Sequence, residues 1–237
     1  MSLVIIKGNI WTTKHKVLVN TVNCEGVMGA GIALESGLRY PEMYARYKRI
    51  CEDGKLNIGN LWIYKDSNPY WIMNFPTKKS WKLPSKIEYL ELGLKKFVET
   101  YKEKKVESVA FPLLGAANGG LDEKVVLEVM KNYLGNLDIP VEIYLYDTKS
   151  VDDYFPEFKE ILLSNQIEDL VRKTKIQEKY LSKIIDVITE NDNVYQIMQL
   201  KKIKDIGNST IKKIFDFQRE NMPSKNIPSN EQQSFDF

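Results

Sequence analysis

The stretch with the clearest chemical potential is Asn20 to Leu34, which reads NTVNCEGVMGAGIAL. An apolar strand pattern, residues 16–19, leads into it. Gly26, Gly29 and Gly31 follow, and then a helical pattern begins. Glycine lets the backbone take positive φ and lets other groups come close. Successive backbone N–H groups at a loop-to-helix junction hold anions, phosphate above all. The stretch therefore reads as an anion-cradling loop or as a tight strand-to-helix turn that needs glycine for packing. It contains neither G-x-G-x-x-G nor G-x-x-x-x-G-K-[ST], so the common nucleotide fingerprints are excluded. A second segment, Asn74-Phe75-Pro76-Thr77-Lys78-Lys79-Ser80-Trp81, sets the Lys78 amine just after a strand and a Pro-Thr step, where it is aimed. A third, Phe111 to Leu121, is again rich in glycine: Gly115, Gly119 and Gly120.

These loops need a frame. Strand patterns occupy residues 3–7, 17–19, 58–64, 70–75, 106–111 and 141–146, and 65–69 is a turn cluster. Helical periodicity covers 31–52, with Pro41 starting a second helix, then 85–104 and 121–134. Ser85 followed by Glu88 predicts a capping box. Strands alternating with helices predict an α/β fold with a mostly parallel sheet and helices on both faces. The three loops all follow strands, so they meet at the carboxyl edge of the sheet, where such folds bind ligands.

Composition sets outer limits. The length of 237 residues allows one large domain, or one domain with a small appendage. The net charge of +2 supplies no bulk attraction to nucleic acid or membrane. Cys24 and Cys51 make neither a disulfide framework nor a zinc set, and a reducing cytoplasm is the simplest expectation. No apolar run reaches the roughly 20 residues of a membrane helix, and the N-terminus reads as a first strand rather than a signal peptide. His15, between two lysines, is expected to be exposed, with no metal or acid/base role. Cys24 is expected to be a packed residue rather than a nucleophile, because no histidine partners it.

The run N-T-V-N-C-x-G-V-M-G-x-G-I-A, the segment N-F-P-T-K, the third glycine loop and Gly8-Asn9-Ile10 together resemble the macrodomain family. Within it they are most similar to the DNA ADP-ribosyl glycohydrolase antitoxins and to terminal ADP-ribose protein glycohydrolase. The resemblance covers about residues 1–150. It implies a three-layer α/β/α sandwich over 1–155 and a site for ADP-ribose. It places Asn9 and Ile10 near adenine and Tyr146 beside the adenosine; Tyr146 could equally be a core residue. Asn20, Thr21 and Asn23 would serve ribose. Val27, Met28, Gly29, Gly31 and Ile32, with Leu114, Gly115, Ala116, Ala117, Asn118, Gly119, Gly120 and Leu121, would face the diphosphate. Thr77 would line the site. Lys78 falls where this branch has its catalytic lysine, and would attack C1″ of the distal ribose or stabilise the departing base. The third loop departs from the pattern at Ala117, where relatives carry glycine, which puts hydrolysis more than binding in question. The aspartate of the protein-directed relative has no clear counterpart, since Asp122 is not plainly equivalent. The implied function is removal of ADP-ribose from a DNA base, with a cognate ADP-ribosyltransferase toxin as partner; the alternatives are a non-catalytic reader, or a deacetylase or phosphatase of free ADP-ribose derivatives. No cofactor is implied.

Beyond Asp147 the composition shifts and glycine nearly disappears; residues 152–156 read as a connector, and helices are expected over 157–164, 167–172, 178–190 and 194–199, making a helical module over 156–220. Leu200, Ile203, Ile206, Gly207, Thr210 and Ile214 resemble a helix-hairpin-helix motif spanning 200–214, a binder of the DNA backbone. Asp205 stands where that motif usually has glycine. Lys204, Gly207, Asn208, Ser209, Thr210 and Lys212 would meet phosphate, unless the lysines form only a solvated face. From residue 221 the composition predicts a flexible tail. It ends in a segment similar to sliding-clamp-binding peptides, with Gln232, Phe235 and Phe237 as anchors.

Overall fold

The computed structural model describes residues 3–191 and 193–221. The sliding-clamp segment and the predicted tail lie outside the described residues. The chain divides into two compact units, residues 3–146 and 147–221.

The first unit is a six-stranded sheet: β1 (Leu3–Gly8), β2 (Val17–Asn23), β3 (Trp62–Tyr64), β4 (Trp71–Lys78), β5 (Val109–Pro112) and β6 (Val141–Tyr146). Their order is β1-β6-β5-β2-β4-β3. Every pairing is parallel except β3 with β4, the expected hairpin. Alternation along the strands splits the core. Val17, Val19, Met73, Phe75, Val109, Phe111 and Ile143 face α3 (Ile87–Thr100) and α4 (Glu123–Leu134). Leu18, Val22, Ile72, Ala110 and Tyr144 face α1 (Gly31–Arg39) and α2 (Pro41–Glu52). The result is a three-layer α/β/α sandwich. Pro41 opens α2, as its fixed φ favours.

Several boundaries differ from expectation for physical reasons. β2 runs on through Asn20 and Asn23, because Asn20 pairs with Asn74 on β4 inside the sheet: the Asn20 amide nitrogen donates to Asn74 Oδ1 at 2.9 Å. The capping box at Ser85 does not form. The helix begins at Ile87 with Lys86 as its cap residue, and the Ser85 N–H donates instead to the Gly119 carbonyl, 3.0 Å away. His15 is not exposed. It is half-buried, with Nε2 3.6 Å from Glu142 Oε1.

The second unit contains α5 (Phe155–Ser164), α6 (Ile167–Thr174), α7 (Glu178–Glu190), a 3-10 helix (Ile197–Lys202) where an α-helix over 194–199 was expected, and α8 (Asn208–Asn221). Phe158, Leu170, Leu181, Ile184, Ile197, Leu200, Ile211 and Phe215 are fully buried in it. The unit starts before residue 155, because the connector is bonded into it. The Gln196 amide donates to the Asp147 and Ser150 carbonyls. Asp152, 2% exposed, accepts the Tyr154, Phe155 and Ile197 N–H groups.

Candidate active site

Parallel strands bring the ends of β1, β2, β4, β5 and β6 to one edge, and the predicted loops meet there. The first and second loops are joined by backbone and side chain. Cys24 N–H donates to the Lys79 carbonyl at 3.1 Å, and Glu25 Oε2 accepts the Ser80 hydroxyl at 2.9 Å and the Trp81 N–H at 3.2 Å. The second and third are joined by Lys78, whose Nζ donates to the Asn118 carbonyl. The first and third touch at Gly31. A side chain there would come within 2.7 Å of the Asn118 amide nitrogen.

In the first loop, helix α1 starts at Gly31 after Ala30, which offers no capping side chain. The N–H groups of the first turn of a helix lack acceptors within it, so an uncapped and exposed start presents donors to an anion. The loop is held by Asn23. Its Oδ1 accepts the Glu25 and Val27 N–H groups at 2.9 and 3.3 Å, and its Nδ2 donates to the Val27 carbonyl at 2.6 Å. The buried Tyr47 hydroxyl donates to the Asn23 carbonyl at 2.7 Å, and burial raises its pKa so that it stays a donor. The Met28 N–H lies 3.4 Å from the Tyr44 hydroxyl. The loop's own backbone thus engages Asn23 Oδ1 and one hydrogen of its Nδ2. Thr21 is partly exposed on β2. Asn20 is fully buried, and neither its Oδ1 nor Asn74 Nδ2 has a partner.

Gly119 and Gly120 of the third loop are glycine for different reasons, and Gly115 also takes a positive φ, +65°. A Cβ on Gly119 would stand 2.1 Å from the Gly115 carbonyl oxygen and 2.4 Å from Ser85 Oγ. Gly120 has open space but a φ of +76°, which side-chain-bearing residues rarely adopt. Among the described residues, positive φ outside glycine is confined to Lys105, Lys175 and Asp205. Ala116 and Ala117 therefore sit in ordinary backbone, and the exposed Ala117 does not strain the loop. Leu114 is wholly buried and offers the site only backbone. Asp122 caps α4, accepting the Lys124 and Val125 N–H groups at 3.0 Å each, so it has a structural task at this position.

Asn9 and Ile10, expected near adenine, are both buried. Asn9 is buried and caps the 3-10 turn Ile10–Thr12 through the Trp11 N–H, 3.0 Å away, so its amide oxygen is not presented to a base. Ile10 packs in the core. Behind them Arg39, 1% exposed, lays its guanidinium 4.1 Å from the centre of the Trp11 ring and bonds Glu35 through Nε and Nη2. Tyr146, beside Gly8 in the sheet, is 64% exposed, which removes the core alternative. Thr77 is buried near the end of β4. The Cys24 thiol is pushed up to about 11, chiefly by burial, with Cys51 also raising it. It is a neutral thiol at ordinary pH, donating to the Lys78 carbonyl. Sequence reasoning missed Glu25, Tyr47 and Ser85, whose roles rest on tertiary approach rather than on local pattern.

In the second unit, Asp205 takes φ +71°, the conformation that glycine supplies in the hairpin motif and that aspartate tolerates better than most residues. Its carboxylate is 2.5 Å from Lys183 Nζ. Lys204, Gly207, Asn208 and Ser209 are exposed around the start of α8. Thr210 is buried, so its side chain is not offered outward as expected, while Lys212 is exposed and pairs with Asp216 at 2.6 Å. Among the described residues no helix is long and apolar enough to cross a membrane.

The family model described as Macro domain matches residues 19–130. A DNA ADP-ribosyl glycohydrolase of Thermus aquaticus is 41% identical over 145 residues, and one of Mycobacterium tuberculosis is 41% identical over 141. These matches cover 60% and 58% of this chain, and 40% of either relative. A DNA ADP-ribosyl transferase-DNA ADP-ribosyl glycohydrolase fusion protein of Thermosipho africanus is 32% identical over 170 residues, 64% of this chain and 44% of that one. The chain thus spans about two-fifths of the length of the curated relatives it matches. Among solved structures, the macrodomain of Mycobacterium tuberculosis DarG aligns with a TM-score of 0.58 at 40% identity, over 60% of this chain and 96% of that one. The macrodomain of Thermus aquaticus DarG gives 0.56 at 41%, over 61% and 97%. Near-complete coverage of those macrodomains at such identity, with the same sandwich fold, shows that this chain belongs to the macrodomain family.

Proposed function

We propose that the chain is an ADP-ribosyl hydrolase that removes ADP-ribose from a DNA base. The observation that carries this reading is Lys78. Its amine ends β4 and reaches across to the third loop, beside the uncapped start of α1. A diphosphate on the α1 N–H groups and the third-loop backbone leaves the distal ribose at that amine. The bond that breaks joins C1″ to the base nitrogen. An amine there supports two chemistries. It can attack C1″ and later yield to water, or it can give a proton to the departing base while water attacks. Holding the sugar in place is itself a large contribution, up to about 7–11 kcal/mol in well-oriented reactions.

Lys78→Ala is expected to abolish hydrolysis of ADP-ribosylated single-stranded DNA while keeping ADP-ribose binding. Equal rates in the two proteins would remove Lys78 from the mechanism. Borohydride trapping of a sugar adduct on Lys78 separates the two chemistries. The unstrained Ala117 favours a working loop over a non-catalytic reader.

The role follows the relatives in kind. One of them is fused to a DNA ADP-ribosyl transferase, which supports an antitoxin that undoes the work of a cognate transferase. Residues 147–221 would hold the enzyme near DNA. The exposed Lys204, Gly207, Asn208 and Ser209 supply an amine and helix-start N–H groups for phosphate. Binding through them weakens as salt rises; a salt-independent affinity would contradict it.

A further inference from the structure

The ADP-ribose crevice accounts for one half of a modified nucleic acid. The segment Lys79–Tyr89 follows Lys78 directly in the chain, where the strand that carries the base would leave. The chain turns at Ser80, with the Leu83 N–H donating to the Ser80 carbonyl at 3.2 Å, and Glu25 ties the turn to the first loop through Ser80 and Trp81. On this anchored turn Trp81 is 52% exposed and Leu83 56% exposed. Large apolar side chains held outward on a fixed backbone mark contact surfaces.

Amines surround the rings. Lys82 Nζ lies 5.3 Å from the centre of the Trp81 ring, and Lys79 and Lys86 Nζ lie 6.0 and 5.7 Å from that of Tyr89. Beside them opens a groove of about 470 Å³ lined by Cys24, Asn57, Ile58, Lys79, Tyr89 and Leu92. That volume falls within the roughly 300–1,000 Å³ of small-ligand clefts. Two of its walls belong to the site: Cys24 comes from the first loop, and Lys79 adjoins Lys78. The acids nearby are Glu25, engaged by Ser80 and Trp81, and the exposed Glu88 at the start of α3. The surface therefore alternates aromatic faces with cations. That combination suits an unpaired strand, whose bases stack on rings and whose phosphates meet amines. A duplex keeps its base faces covered and leaves such rings unused.

We propose that residues 79–89 are the track for the single-stranded nucleic acid flanking the modified base, with Trp81 and Tyr89 as stacking faces and Lys79, Lys82 and Lys86 at the phosphates. This rests on the hydrolase reading above. The test uses the full chain and two exposed positions, Trp81→Ala and Lys86→Gln. Affinity for an unmodified short oligothymidylate is measured by anisotropy across salt, alongside affinity for free ADP-ribose. Trp81→Ala is expected to weaken the oligonucleotide about ten-fold with an unchanged salt slope. Lys86→Gln is expected to weaken it and to reduce the slope by about 0.7. ADP-ribose affinity stays at the wild-type level in both. A photoreactive strand should crosslink at Trp81. Unchanged affinity in both variants, with crosslinks confined to residues 147–221, overturns the track. If the protein hydrolyses no ADP-ribosylated substrate yet Trp81→Ala still weakens the strand, the track stands and the hydrolase reading falls. If hydrolysis of the modified oligonucleotide proceeds with unaltered KM in both variants, the reading stands and the track is wrong.

Discussion

Gly119→Ala and Gly120→Ala are neighbouring substitutions with opposite physics. At Gly119 the new methyl lands 2.1 Å from the Gly115 oxygen and 2.4 Å from Ser85 Oγ. The first of these is backbone, so the loop must move by about an ångström to reach ordinary contact distance. The bonds at risk are Ser85 N–H to Gly119 O at 3.0 Å, Gly120 N–H to Ala116 O at 3.2 Å and Leu121 N–H to Gly115 O at 3.2 Å. At about 0.5–1.5 kcal/mol net for each, losing a pair costs about 1–3 kcal/mol. For a chain of this length that lowers Tm by about 2–4 °C per kcal/mol. The same movement carries Asn118, the partner of Lys78, out of place. An ångström of misplacement can reduce turnover about 100-fold. At Gly120 the methyl meets nothing within 4 Å, but φ is +76°. The cost is about 1–2 kcal/mol of backbone strain with the loop contacts intact. Thermal unfolding should therefore rank the two variants alike, while turnover of ADP-ribosylated DNA and ADP-ribose affinity should fall steeply only for Gly119→Ala. Equal turnover in the two variants, or wild-type turnover and affinity in Gly119→Ala, would refute the assignment of the third loop.

Asn20→Ala should destabilise the fold by about 1–3 kcal/mol by leaving the Asn74 amide unpaired in the sheet, whereas Asn20→Leu with Asn74→Leu should recover most of that in urea unfolding. A loss of turnover with no change in stability would instead make Asn20 a ligand contact. Asp152→Ala removes the acceptor of three buried N–H groups and should cost about 2–4 kcal/mol, with ADP-ribose affinity unchanged by calorimetry. Cys24 should resist alkylation near pH 8 and gain reactivity only toward pH 11. The folded thiol ionises near 11 and the unfolded one near 9, so above pH 9 the unfolded chain releases its proton first. Stability is thus fully present below pH 9 and declines between 9 and 11, with Cys51 adding in the same sense. Denaturation curves that do not change over that interval would contradict the burial of both thiols.

What the sequence made legible was what local pattern controls. Strand and helix periods gave the alternation, Pro41 gave the start of α2, and glycine spacing located the loops that gather at the carboxyl edge. The misses share one cause, that tertiary approach overrode local preference. Ser85 reads as a helix cap until Gly119 takes its N–H. That Asn9 and Asn23 also close the turns they stand in shows only in the folded chain. Asn20 reads as loop until Asn74 makes it a strand residue. Asp205 takes a positive φ that its residue type does not announce, which no spacing argument reveals.

The carboxylate of Glu25 gives the crevice a mechanical property. It accepts the Ser80 hydroxyl and the Trp81 N–H just beyond Lys78, so the first and second loops are tied together next to the amine proposed to act. On the proposed reading, a diphosphate that settles on the first loop also orders the second, so affinity for the non-reacting end of the substrate becomes aim at the sugar carbon, and a substrate stripped of its diphosphate should lose rate as well as hold.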